Sequence, residues 1–169
     1  MATLGRRLAR ALRCTGSGLN RYFGAVTNQE VNVSSYPVLL HTAIDAQDCR
    51  GLAEFYRHLL GLHYRAGEEP PTDGGTDDAD WLVLLDGDGN RVVTIQEKKD
   101  TTPPTWPSEN VPMQMHMDFR VSTVEDLERQ RERAESLGAA VLYNRSQDDG
   151  EPLYVMADPA GHPFCLLVQ

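Results

Sequence analysis

The feature that most constrains this chain is an internal repeat: a histidine in an apolar strand, an amphipathic helix, a glycine, then a hairpin. The first copy opens with VLLHTAI at residues 38–44, and Leu52, Phe55, Tyr56, Leu59 and Leu60 follow at helical spacing before Gly61. The second opens with MQMHMDFRV at residues 113–121, and Val124, Leu127, Ala134 and Leu137 supply the inward stripe before Gly138. Asp45 or Asp48 caps the first helix, and Ser122-x-x-Glu125 matches a capping box for the second. His41 and His116 hold the same place in the two copies. The closing hairpins echo each other as Asp86-x-x-Gly89-Asn90 and Asp158-x-x-Gly161-His162.

Each copy reads as a βαβββ unit. Further strands fall at 62–65, 81–85 and 92–96 in the first, and at 139–143, 153–156 and 164–168 in the second. Residues 98–112 contain four prolines and form a linker or lid, because proline cannot serve a central strand. A four-stranded sheet with a helix on one face needs cover on the other. The expected fold is therefore α+β: two tandem βαβββ modules, residues 37–97 and 113–169, forming a curved, mostly antiparallel sheet around a cleft. A ferredoxin-like tandem shares the alternation but lacks that cleft.

Charge separates this domain, residues 36–169, from an arm at residues 1–35. The arm carries Arg6, Arg7, Arg10, Arg13 and Arg21, and no acid occurs before Glu30. Residues 30–169 hold 11 basic against all 25 acidic residues, and the whole chain has a net charge of -9. Such an acidic body argues against a nucleic-acid partner, whose phosphates require clustered cations. The arm reads as a loosely docked leader, a surface or partner helix, or a transit peptide. No apolar run approaches a membrane span, so no integral membrane association is expected. The three cysteines, Cys14, Cys49 and Cys165, lack the spacing of a disulfide framework or a zinc knuckle, which points to a reducing, cytoplasmic setting.

Chemistry concentrates in the repeat. His41 and His116 are polar interruptions of apolar strands, placed by duplication across one cavity, and they suit a metal, a ligand or a structural hydrogen bond. Gln96 and Glu97 are neighbours in a strand, so only one faces that cavity. Gln96 is favoured, because its amide can bond a ligand while Glu97 begins a charged run. Alignment on the two hairpin turns instead sets Val93 against Cys165, unless a bulge intervenes. Cys165 lies among Phe164, Leu166 and Leu167 and reads first as core packing. Asp118 shares the face of His116 and suits a carboxylate that orients it. Trp106, in the stiff Pro103-Pro104-Thr105-Trp106-Pro107 segment, is placed to cover the cavity mouth or a partner domain. His162, in the last turn, is expected to be exposed.

Several strings, in this order and spacing, resemble the glyoxalase-like branch of the vicinal oxygen chelate superfamily over residues 37–169. They are LLHTAIDAQDCRGLAEFYRHLLGL, VTIQ followed by PPTWP, MQMHMDF, SLGAAV and DPAGHPFCLL. The resemblance implies action on a small carbonyl or vicinal-oxygen compound, as a metal-dependent lyase, isomerase or dioxygenase. The superfamily also includes antibiotic-binding proteins without catalysis, so a non-catalytic small-molecule-binding protein is the alternative. Carried over residue by residue, its metal ligands fall on His41, on His116 and around Gln96 or Glu97. The fourth, usually a glutamate, falls on Cys165. One divalent ion (Fe, Zn, Mn or Ni) or none is implied, with a small-molecule ligand and a homodimer as the partners.

Overall fold

The computed structural model describes residues 37–72 and 74–169; the basic arm lies outside them, as does Cys14. The first module runs β1 (Thr42–Ala46), α1 (Cys49–Leu60), β2 (His63–Tyr64), β3 (Trp81–Leu85) and β4 (Arg91–Glu97). The second runs β5 (Met117–Val121), α2 (Val124–Ser136), β6 (Ala140–Arg145), β7 (Leu153–Ala157) and β8 (Pro163–Val168). The strand orders are β1-β4-β3-β2 and β5-β8-β7-β6, so the modules share one topology. In each, the first and last strands pair in parallel and the remaining pairs are antiparallel. The tandem βαβββ α+β fold is the one the repeat predicts.

Helix α1 starts where Asp48 accepts a hydrogen bond from the Gly51 N–H, and it ends at Gly61 in the left-handed region. The second helix is capped by Thr123, which accepts from the Asp126 N–H, rather than by Ser122. Both signals are one residue apart in sequence, and the extended backbone at Thr123 puts its hydroxyl in reach. Val124 is correspondingly exposed at the helix start, whereas Leu127 and Ala134 are fully buried. Strands β1 and β5 are shorter than the apolar strings suggest. Pairing with β4 begins at Thr42↔Val93, so Val38, Leu39 and Leu40 precede the ladder and remain exposed.

Period-two alternation separates the faces of each sheet. Val93, Ile95, Leu82 and Leu84 turn toward α1, as Phe164, Leu166, Tyr154 and Met156 turn toward the second module's share of the same core. Phe55 and Tyr56 of α1 join the halves by ring contacts to Phe164 and Phe119, with centroids 5.9 and 6.4 Å apart. Tyr56 also donates a 2.8 Å hydrogen bond to the buried carboxylate of Asp158. One apolar core thus spans both modules; the opposite sheet faces carry the polar candidates, although Val83 and Thr94 on the first sheet are themselves fully buried.

Candidate functional site

The faces turned away from the helices are built from cross-strand rows, because directly paired residues share a face. In the second sheet one row runs Asp118, Cys165, Val155 and Tyr143 across β5, β8, β7 and β6. His116, immediately before β5, brings its Nε2 to 3.5 Å from Oδ1 of Asp118. One ligand atom each from His116, Asp118 and Cys165 lies within 4.8 Å of the others. At the far end of the row, the Trp106 ring meets Tyr143 edge-on at 6.2 Å. The linker therefore supplies an aromatic wall to this face.

Burial pushes the Cys165 thiol up to about 12, and the Asp118 carboxylate beside it adds to that shift. The group is thus a protonated thiol at neutral pH. An imidazole, a carboxylate and a sulfur form a mixed donor set suited to zinc or iron(II) more than to manganese. Sulfur ligation requires the thiol to release its proton to solvent or base on metal binding. These three residues fit a divalent ion on that condition.

The first sheet presents the equivalent rows Ala43, Thr94, Val83 and Asp45, Gln96, Trp81. Here the structure resolves the alternative alignments of the hairpins. A register shift between Leu84 and Leu85 slips β4 by one residue, so Thr94, not Val93 or Gln96, is the counterpart of Cys165. Gln96 shares the face of Thr94, and Glu97 lies on the other parity. His41 packs edge-on against Trp81 at 6.2 Å. Burial, assisted by the charge of Arg91, lowers its pKa from the usual value. Nδ1 of His41 and Oγ1 of Thr94 are buried with no hydrogen-bond partner among the described residues.

The sequence-selected residues thus fall into two groups. His116 and Cys165 converge with Asp118, whereas His41 and Gln96 lie on the first sheet and Trp106 stands at the far side of the second. Thr94 was missed by sequence reasoning, and it follows only once the bulge is known. Tyr143 was among the aromatic residues expected to line the cavity, and it stands on this row beside Trp106. His162 was expected to be exposed, yet its ring is partly buried because its Nδ1 lies 3.1–3.2 Å from the Asp158 carboxylate oxygens.

Paired βαβββ modules with a candidate metal-binding cluster on a free sheet face define a protein of the vicinal oxygen chelate class. The chain belongs to the glyoxalase-like domain family, which matches residues 41–167. Its fold is similar to that of a genomically encoded fosfomycin resistance protein from Listeria monocytogenes, at 16% identity and a TM-score of 0.57 over 79% of this chain and 94% of that one. A possible glyoxalase from Bacillus cereus gives 18% identity and a TM-score of 0.53, covering 77% of this chain and 97% of that chain. A glyoxalase/bleomycin resistance protein/dioxygenase family enzyme from Burkholderia phytofirmans gives 15% and 0.55, covering 76% and 96%. Such identities establish a likeness of fold. No curated protein matches the chain.

Proposed function

We propose that this protein binds a small carbonyl or vicinal-oxygen compound on the free face of its second sheet, beside a divalent ion held by His116, Asp118 and Cys165. The observation carrying this reading is the convergence of those three donors within 4.8 Å. When bound, such an ion supplies Lewis-acid polarisation of neighbouring oxygens, the basis of lyase, isomerase or dioxygenase chemistry. The chain's own residues set the remainder. His116 and Asp118 orient each other, Val155 and Tyr143 line an apolar floor, and Trp106 limits access of water from the linker side. His41 and Gln96, with Trp81, form a second ligand-contacting surface on the first sheet.

A second reading, binding without turnover, is supported by the donors themselves. Cys165 is a protonated thiol, and its counterpart Thr94 offers no anion. A homodimer and a cytoplasmic, reducing location belong to either reading. Exposed Leu39, Leu40, Met115 and Tyr143 support the first, and the unpaired Cys49 and Cys165 support the second.

Cobalt(II) titration of the full chain tests the metal. A thiolate-to-cobalt charge-transfer band that disappears in Cys165→Ser and weakens in His116→Ala is the expected result. No band, with no zinc uptake on elemental analysis, removes the ion and leaves the binding reading.

A further inference from the structure

Between the start of β1 and the start of β5 runs a groove of about 500 Å³, a size suited to a small molecule. Thr42 and Asp45 line it from the first module, and Gln114, Met115, His116 and His162 from the second. His162 is the residue whose surroundings demand a reason. Its carboxylate neighbour, Asp158, has a fully buried side chain. Tyr56 donates to Asp158 Oδ2 at 2.8 Å, and the backbone N–H groups of Ala160 and His162 donate to Oδ1 at 2.9 Å.

That arrangement fixes the imidazole. An ionised carboxylate only accepts, so the His162 nitrogen beside it, Nδ1, must carry hydrogen. The lone pair of a neutral ring is then left on Nε2, for which no partner is assigned among the described residues. A turn needs the two backbone bonds to Asp158 but does not need the ring bond or the tyrosine from another module. The Tyr56 hydroxyl occupies part of the accepting capacity of Oδ2, an oxygen that the ring nitrogen also lies beside, and so helps fix the carboxylate.

We propose that His162, oriented by Asp158 and Tyr56, is a hydrogen-bond and proton acceptor facing the β1–β5 groove, serving a small ligand that presents an O–H or N–H group beside an apolar edge. Nε2 accepts the ligand's hydrogen bond, while Met115 and Met117 supply adaptable apolar contact. Full transfer would place the proton on Nε2 and its positive charge beside the Asp158 carboxylate, leaving the electron pair on the ligand atom. Asp158 and Tyr56 are positioning residues. The inference rests on the small-molecule reading above, since His116 lines the same groove, but it does not require the metal.

Two-bond proton–nitrogen correlation spectra of the full-length protein read the tautomer directly, at a pH where the ring is neutral. The expected result is hydrogen on Nδ1 of His162 and an unprotonated Nε2 whose resonance moves on adding millimolar phenol, the simplest probe with one O–H and an apolar ring. His162→Gln should weaken phenol binding about three- to tenfold, the range for loss of one hydrogen bond. Tyr56→Phe should loosen the tautomer preference with phenol contacts retained. Hydrogen on Nε2, or an Nε2 resonance indifferent to phenol, overturns the proposal. The cobalt band separates the two readings: its persistence in His162→Gln leaves the metal site standing whatever phenol does.

Discussion

Thr94 and Cys165 are the same position of a duplicated module. Thr94 lies across from Ala43, two residues after His41, and Cys165 lies across from Asp118, two residues after His116. One copy has there a hydroxyl with no partner among the described residues, the other a thiol beside a carboxylate. The scaffold is held in common while the donors differ.

The unsatisfied hydroxyl of Thr94 leads to a stability prediction. Valine has nearly the same shape and nothing to desolvate. Thr94→Val should stabilise the protein by about 1 kcal/mol in urea unfolding, since burying an unbonded hydroxyl costs about 1–3 kcal/mol. A destabilisation of similar size would show that the hydroxyl has a partner in solution.

For the thiol, Asp118→Asn removes the charge that helps hold Cys165 protonated. Its pKa should fall, though burial keeps it above an ordinary thiol. Metal-free Asp118→Asn should therefore be alkylated by iodoacetamide several-fold faster at mildly alkaline pH. Equal rates at Cys165, followed by peptide mass spectrometry, would leave burial as the sole cause.

The raised thiols also tie stability to alkali. Cys165 titrates at about 12 and Cys49 at about 11 in the fold, against an ordinary 9.0. The unfolded chain therefore releases these protons first. Their contribution is complete below pH 9 and is lost as pH rises toward 11 and 12. Cys165→Ser should flatten that decline in unfolding free energy, and an unchanged slope would refute the link.

His41 works in the opposite direction. Burial first, then the Arg91 charge, depresses its pKa, so the unfolded chain takes the proton first as pH falls through the usual 6.5. Stability from the neutral ring is present above that value and is lost below it. Arg91→Ala should raise the His41 titration midpoint in an NMR pH series, incompletely because burial remains.

Much of this was legible in the residues, and the limits have physical causes. Apolar spacing in α1, the two strand histidines and the paired Asp-x-x-Gly turns determine the repeat and hence the topology. Strand ends were harder: VLL before His41 is as apolar as a buried strand, but the ladder with β4 starts only at Thr42↔Val93, just past the irregularity in the β3–β4 pairing. The bulge at Leu84/Leu85 carries no motif, so the counterpart of Cys165 could not be fixed by counting. Asp118 was visible as a neighbour on the face of His116. The buried contact from Tyr56 to Asp158 crosses modules, and nothing local announces it.

The equivalent turns provide a controlled comparison of two glycines. Both Gly89 and Gly161 have positive φ, so alanine at either place incurs about 1–2 kcal/mol of backbone strain. At Gly89 an added Cβ meets open space, whereas at Gly161 it would come within 2.6 Å of the Pro103 Cβ. Gly161→Ala should cost about 1–3 kcal/mol more than Gly89→Ala in chemical denaturation, the range for forced overpacking. Equal losses would show that the linker yields freely.

The one-residue slip in β4 is also an engineering instruction. Side chains exchanged between the halves must follow the pairing ladder, since a transplant guided by the turns lands on the helix-facing side of the sheet. With His41 already in place, Ala43→Asp and Thr94→Cys would write the second half's donor set onto the first. Two modules of one topology would then carry two copies of the same chemistry.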